Sequence, residues 1–156
     1  MKSRIIILII ISLFIFGCNK EDNNVEKNNN NENNININND KKVSSMKVII
    51  NNKEYIINLE DNDSSKKLVE LLPLEVNMNE LNGNEKYVYL DSKLPIDEYK
   101  PKHINKGDVM LYGNNCLVIF YKSFDTSYSY TKIGHIDNLD DLDNKDVLVK
   151  FKIEED

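Results

Sequence analysis

The sequence of 156 residues contains no tryptophan, and Arg4 is its only arginine. It has two cysteines, Cys18 and Cys116, and two histidines, His103 and His135. So few cysteines exclude a framework of several disulfides and a zinc site built on thiolates, and the histidines lack the spacing of metal ligands. No phosphate-binding glycine loop, serine–histidine–aspartate set or paired-carboxylate motif is present. We therefore expect no metal and no cofactor.

Positive charge is also scarce relative to negative charge. Twenty lysines and arginines stand against 26 aspartates and glutamates, a formal net charge of −6. Removal of an N-terminal segment carrying Lys2 and Arg4 would leave 18 basic residues against 26 acidic ones, a net charge of −8. An acidic surface disfavours nucleic acid and anionic lipid headgroups, and no basic stripe or RNA-binding signature is present. We expect no nucleic-acid partner.

The N-terminus has the organisation of a bacterial secretory signal. Two positive charges precede an apolar run from Ile5 to Phe16, about 12 residues, whereas a helix that spans a bilayer needs roughly 20. The sequence Ile15-Phe16-Gly17-Cys18 resembles the lipobox of bacterial lipoproteins, in which a small residue precedes a cysteine whose thiol receives the lipid. We predict a lipoprotein signal peptide over residues 1–17 and a lipidated Cys18.

Lipidation at Cys18 predicts a location outside the cytoplasm. More than one acyl chain gives a stable anchor, whereas a single chain gives only marginal binding. The protein would then be held on the cell membrane or, because Asn19 and not aspartate follows the cysteine, on the outer membrane of a two-membrane cell. The alternative interpretation is that Cys18 is an unmodified cysteine that follows an ordinary signal peptide.

A tether follows the anchor. Twelve of residues 19–40 are asparagine, most of the others are charged, and no apolar periodicity is present. Such a segment buries too little surface to offset the entropy of ordering. We predict a disordered tether over residues 18–45, which spans on the order of 30 Å. One folded domain over residues 46–156 follows, of ordinary size for a single core.

The pattern of the domain is mainly β. Turn residues at 51–53, 82–84 and 113–115 separate short runs of alternating or continuous apolar residues. One amphipathic helix is predicted over residues 63–72, with Asp63 as its N-cap and Pro73 as its stop, and residues 138–142 suggest one further helical turn. Repeated short strands favour a closed barrel or a sandwich. The predicted strands are residues 47–50, 54–59, 74–78, 86–90, 109–112, 116–121, 131–136 and 147–153.

Over residues 46–153 the sequence resembles the cyclophilin-like β-barrel family of bacterial proteins. The resemblance implies a mainly β fold, a closed barrel of about eight strands with one or two short helices. The most specific segments are Gly83-Asn-Glu-Lys-Tyr87, Gly107-Asp-Val-Met-Leu-Tyr-Gly113, Leu117-Val-Ile-Phe-Tyr121, Ser127-Tyr-Ser-Tyr-Thr-Lys-Ile-Gly-His-Ile136 and the helix ending at Leu-Leu-Pro73.

The catalytic pattern of true cyclophilins is not reproduced. In those peptidyl-prolyl isomerases an arginine contacts the prolyl amide, assisted by a glutamine, phenylalanines, a tryptophan and a histidine. Here Arg4 belongs to the signal peptide, tryptophan is absent, and the equivalent strand, residues 116–120, has no glutamine. A lysine is a poor substitute for the planar guanidinium. We therefore expect a non-catalytic module that binds a peptide or a small ligand. The alternative is a weak isomerase or chaperone of the cell envelope.

Aromatic and polar residues near the loop at 122–131 are the candidates for a binding site. Tyrosine combines a flat apolar face with a hydroxyl, which suits a peptide or a small ligand. The alternatives are that these rings face the core or cover the barrel end, and that the acidic and basic neighbours at 85–86 form a solvated turn. We expect Cys116 to be a buried small side chain, and residues 137–143 to be a solvated acidic turn. The candidates are Glu85, Lys86, Tyr112, Phe120, Tyr121, Phe124, Tyr128 and Tyr130.

Overall fold

The computed structural model describes residues 43–154, so the predicted signal peptide, Cys18 and nearly all of the tether lie outside the described residues. Eight strands close an antiparallel barrel in the order β1-β10-β3-β4-β7-β6-β9-β2, and two short strands form a separate β5-β8 sheet. The predicted closed barrel is confirmed. The elements are β1 (Ser45–Ile50), β2 (Lys53–Leu59), α1 (Asp63–Val69), β3 (Leu74–Leu81), β4 (Glu85–Tyr89), β5 (His103–Ile104), β6 (Asp108–Tyr112), β7 (Cys116–Phe120), β8 (Phe124–Asp125), β9 (Thr131–Ile136) and β10 (Val147–Ile153).

The predicted reversals join neighbouring strands as expected. Asn51 and Asn52 connect β1 to β2 with φ of 51° and 63°, a left-handed conformation that asparagine tolerates better than most residues. Gly113, with φ of 59°, begins the turn between β6 and β7. Both turns are short enough to fix the register of their hairpins.

The helix differs from the prediction at both ends. Its N-cap is Asn62, whose side-chain oxygen accepts from the Ser65 N–H at 2.9 Å, while Asp63 occupies the first turn. The two residues are equally good caps, so local preference did not distinguish them. The helix ends at Val69, three residues before the prediction, and Leu68 is buried in the main core. This one helix among residues 43–154 is too short and too polar to cross a membrane.

The strand β7 is buried on both faces. Leu117 and Ile119 point into the barrel and belong to the main core. Cys116, Val118 and Phe120 point outward into a second apolar cluster. The outer side of the barrel at β7 is therefore an apolar floor and not a solvated face.

The charged side chain of Lys86 points into the barrel and is 1% exposed. Its Nζ donates to Glu80 Oε2 at 2.5 Å and to the carbonyl oxygens of Asp143 at 2.5 Å and Lys145 at 2.7 Å. The Tyr121 hydroxyl donates to the same glutamate oxygen at 2.7 Å. Burial raises the pKa of Glu80, but the hydrogen bonds from Lys86 and Tyr121 outweigh it and hold the pKa below its usual value. This Lys86 network joins β3, β4 and the loop before β10.

That loop, residues 137–146, closes one end of the barrel. The predicted helical turn at 138–142 is wrong, because the chain there is irregular and buries Leu139 and Leu142 in the main core. The carboxylates of Asp140 and Asp141 are exposed, as expected of a solvated acidic run. Asp140 also accepts hydrogen bonds from Lys53 and from the Tyr55 hydroxyl, so its charge attaches the loop to β2.

The Lys86 network predicts a large cost for Lys86→Met. The substitution removes the ammonium from the carboxylate of Glu80, which keeps only the Tyr121 hydroxyl and the Gly83 N–H as donors, and from two carbonyl groups, so we expect the free energy of unfolding in urea to fall by about 3 kcal/mol. The control, Lys150→Met, removes an exposed pair with Glu75 and should cost less than about 1 kcal/mol. Adding Glu80→Gln to Lys86→Met should recover part of the loss. Equal losses for the two lysine variants would contradict this description of the network.

Candidate functional site

A groove of about 310 Å³ lies on the outer face of β4, β7 and β6. This is near the lower end of the volumes of small-molecule sites. We call it the tyrosine groove because five of its residues are tyrosines. It is lined by Tyr87, Tyr89, Tyr112, Tyr128 and Tyr130 together with Leu81, Asn82, Glu85, Cys116 and Val118.

Strand alternation brings the lining together. Lys86 points inward from β4, so its neighbours Glu85 and Tyr87 point outward. Tyr87 is paired with Val118 of β7, and Tyr89 with Cys116. Tyr112 of β6 is paired with that same cysteine on its other side. The outward residues of three adjacent strands thus form one continuous surface.

The segment before β9 supplies the last two tyrosines. Tyr130 exchanges two backbone hydrogen bonds with Tyr99, at 2.9 and 3.0 Å. Its ring is 5% exposed and meets the Phe120 ring edge to face at 5.6 Å. Tyr128 lies further out and is 61% exposed. The Tyr130 ring is therefore fixed against the apolar floor, whereas the Tyr128 ring stands at the rim of the groove.

The rings of the groove meet at steep angles. Tyr112 and Tyr128 are nearly perpendicular, with their centroids 6.0 Å apart, and Tyr87 and Tyr89 are nearly perpendicular at 5.9 Å. The two rings of an edge-to-face pair stabilise each other, and their planes face the groove from different directions. Adjacent aromatic rings left so accessible make the groove a candidate contact surface.

Glu85 is the charged residue of the lining. Within residues 43–154 its carboxylate has no hydrogen bond and no ion pair, and no lysine, arginine or histidine lines the groove. Burial raises the pKa of Glu85 to about 7, and the negative charge of Glu80 adds to the rise. A carboxyl group in a cleft with a pKa so far from its usual range is a candidate functional group.

Cys116 forms part of the groove floor and is 5% exposed, which confirms the prediction of a buried side chain. Burial raises the pKa of its thiol to about 11, with a further contribution from Glu85. At neutral pH the sulfur therefore stays protonated, and a protonated thiol is a poor nucleophile.

The structure distributes the predicted site residues over two faces of the barrel wall. Glu85, Tyr112, Tyr128 and Tyr130 line the groove. Phe120 is fully buried behind them, and Phe124 packs on it with ring centroids 5.5 Å apart. Lys86 and Tyr121 belong to the interior network described above.

Sequence reasoning missed two rings of the groove, Tyr87 and Tyr89. The signal that could have found them was present, because the alternation at 86–90 places both on the face opposite Val88. What was missing was the pairing of β4 with β7, which brings that face beside Cys116 and Val118.

The histidines lie away from the tyrosine groove. His135 Nδ1 is 3.0 Å from Asp108 Oδ1, and the other carboxylate oxygen of Asp108 accepts from the Asn105 N–H. His103 pairs with Asp125 across the small sheet. In the part of the chain that the structure describes, no group of three histidine, cysteine or acidic residues is placed to hold a metal ion.

The raised pKa of Glu85 predicts a pH-dependent effect of Glu85→Gln on stability. Below about pH 4.5, the usual pKa, the carboxyl group of Glu85 is protonated in both the folded and the unfolded chain. The stability that the protonated group contributes to the folded chain is lost as the pH rises through about 7. Glutamine does not ionise, so the variant should be more stable than the parent at about pH 8, by on the order of 1 kcal/mol because partial exposure screens the charge. The advantage should vanish near pH 4.5.

Urea unfolding at the two pH values measures this difference. Glu98→Gln is the control, because Glu98 is exposed and its substitution should leave stability unchanged at both pH values. An advantage of Glu85→Gln that is independent of pH would show that the carboxyl group titrates normally.

Comparison with known proteins identifies the family of the barrel domain. No curated protein and no solved structure matches this chain significantly. The model of the cyclophilin-like family matches residues 48–154, which is more than half of the chain and nearly all of the barrel. The chain therefore belongs to the cyclophilin-like family.

Proposed function

We propose that this chain is an extracytoplasmic lipoprotein whose cyclophilin-like domain binds a peptide or a small ligand in the tyrosine groove without catalysing a reaction. The observation that carries the proposal is the lining itself, five tyrosines and one carboxyl group around a volume of about 310 Å³. Three of these rings, those of Tyr89, Tyr112 and Tyr128, are between 46% and 64% exposed, so they offer contact area to a ligand.

The chemistry of the lining favours binding over catalysis. Prolyl isomerisation is assisted by a fixed cationic donor beside the prolyl nitrogen, and the groove lining contains no lysine, arginine or histidine. Residues 43–154 contain no arginine at all. The thiol of Cys116 stays protonated at neutral pH, which disfavours nucleophilic attack.

The anchoring part of the proposal rests on the sequence before residue 43. A charged start, an apolar run too short to span a bilayer and a lipobox-like ending at Cys18 favour lipidation at that cysteine. The asparagine-rich segment after it would hold the barrel away from the lipid, which suits a groove that meets ligands outside the membrane.

Cys18→Ala should release the protein from membranes. Without its thiol the chain cannot receive the lipid, so in the native host the variant should leave the membrane fraction and be secreted. Mass spectrometry of the parent should find a lipidated cysteine at the mature N-terminus. Cys116→Ala is the control and should remain with the membrane. An unmodified mature N-terminus in the parent would refute the anchor.

Binding in the groove can be tested with a panel of neutral, anionic and cationic fragments followed by NMR of the full chain in detergent. We expect at least one class to shift the resonances of Tyr112 and Tyr128, and Tyr128→Ala to weaken that binding by about tenfold, a loss of about 1.4 kcal/mol. Tyr99→Ala is the control, since Tyr99 is also exposed but lies outside the groove.

Two results would contradict this function. One is a panel in which every ligand shifts another surface and none shifts the tyrosine groove. The other is isomerisation of a proline peptide above the uncatalysed rate that is lost in Tyr128→Ala, which would favour the alternative of a weak envelope isomerase.

A further inference from the structure

The tyrosine groove has a charge that nothing in the described structure compensates. Glu85 lies beside Glu80, yet only Glu80 receives an ammonium group, because Lys86 points to the opposite side of the strand. The carboxylate of Glu85 has no ion pair within residues 43–154. A partly buried carboxylate is more stable when it is paired, so the partner that Glu85 lacks within residues 43–154 would be a cation.

The tyrosines point to the same missing group. Elsewhere in the domain a lysine ammonium lies over a tyrosine ring, 5.3 Å from the centroid for Lys53 on Tyr55 and 4.9 Å for Lys86 on Tyr121. None of the five groove tyrosines has such a contact within residues 43–154. Their nearly perpendicular rings form corners that can face a cation from more than one side.

On this basis we propose that the ligand of the tyrosine groove carries a methylated ammonium group, held between the tyrosine rings and against the carboxylate of Glu85. The inference rests on the proposed binding function and names its ligand class. Contacts with Leu81 and Val118 suit methyl groups, which a hydrated primary ammonium lacks. An anionic ligand would be repelled by the carboxylate of Glu85.

The cation that fits this lining is a quaternary ammonium and not a primary one. A primary ammonium needs about three hydrogen-bond acceptors, and apart from the phenol hydroxyls the side chains of the lining offer only the oxygens of Glu85 and the amide oxygen of Asn82. A quaternary ammonium needs none, and the aromatic faces recognise it directly. The lining therefore matches the weakly hydrated cation better.

Binding should depend on the ionisation of one group. The titratable groups around Glu85 are Glu80 of β3, Cys116 of β7, Tyr130 before β9 and Tyr121. Glu80 has a lowered pKa, and the cysteine and both tyrosines have raised ones, so none of them changes charge between about pH 5.5 and 8. If only the ionised carboxylate pairs with the ligand, affinity should rise by up to about 30-fold over that range.

The test compares choline and tetramethylammonium with 3,3-dimethylbutanol, a neutral molecule of the same shape as choline, by calorimetry on the full chain in a nonionic detergent. We expect choline to bind at least tenfold more tightly than the alcohol at about pH 8, and to weaken towards pH 5.5. Lysine amide, whose two amino groups are both primary, should bind more weakly than choline.

The variants separate charge from shape. Glu85→Gln should remove the preference for choline over the alcohol and the pH dependence, whereas Glu98→Gln should keep both. Because Glu85→Gln is expected to be the more stable protein, lost binding would not reflect unfolding. Tyr112→Leu should weaken the binding of choline more than that of the alcohol, and Tyr99→Leu should change neither affinity.

Three outcomes overturn the inference: equal binding of choline and the alcohol, tighter binding of lysine amide, or a choline affinity that Glu85→Gln leaves unchanged. If neutral or anionic fragments shift the groove and ammonium ions do not, the ligand class is wrong while the binding function stands. If no fragment shifts the groove, both are wrong.

Discussion

The inward position of Lys86 is the constraint on which the candidate site depends. A lysine inside a barrel is stable only with partners, and Lys86 has the carboxylate of Glu80 and two loop carbonyls. Those contacts fix which side chains of β4 point into the barrel. Since alternate residues of a strand point to opposite sides, Glu85 and Tyr87 must then face the outer surface. The contacts that close the barrel end therefore also build one wall of the tyrosine groove.

Two neighbouring glutamates show how the same chemistry can serve two purposes. Glu80 receives hydrogen bonds from an ammonium and a phenol and has a lowered pKa, so it acts as a structural anion. Glu85 has no such donor among residues 43–154 and has a pKa raised to about 7. The ammonium group of Lys86 pairs with Glu80 at the closed end of the barrel, so the carboxylate of Glu85 leaves the groove negative. That imbalance is the basis of the proposed preference of the groove for a cation.

The sequence predicted well what local patterns decide. The hairpin at Asn51 and Asn52 and strand β9 follow from turn preference and alternation, and the family resemblance implied closure into a barrel. The inward lysine was not predictable, because its acceptors come from β3 and from a loop about 60 residues away. Strands β5 and β8, of two residues each, are too short to show any period. For the same reason the sequence predicted only part of the site. The outward residues of β4 become neighbours of β7 only in the folded barrel.

The most direct test of this account is a carbon-13 NMR titration of the side-chain carboxyl groups of Glu80 and Glu85 in the unliganded protein. The account predicts a pKa of about 7 for Glu85 and a value below the usual 4.5 for Glu80. A Glu85 that titrates at its usual value would show that a cation already pairs with it or that water fully solvates it. Either result would contradict the proposal that the groove is an acidic site for a cationic ligand.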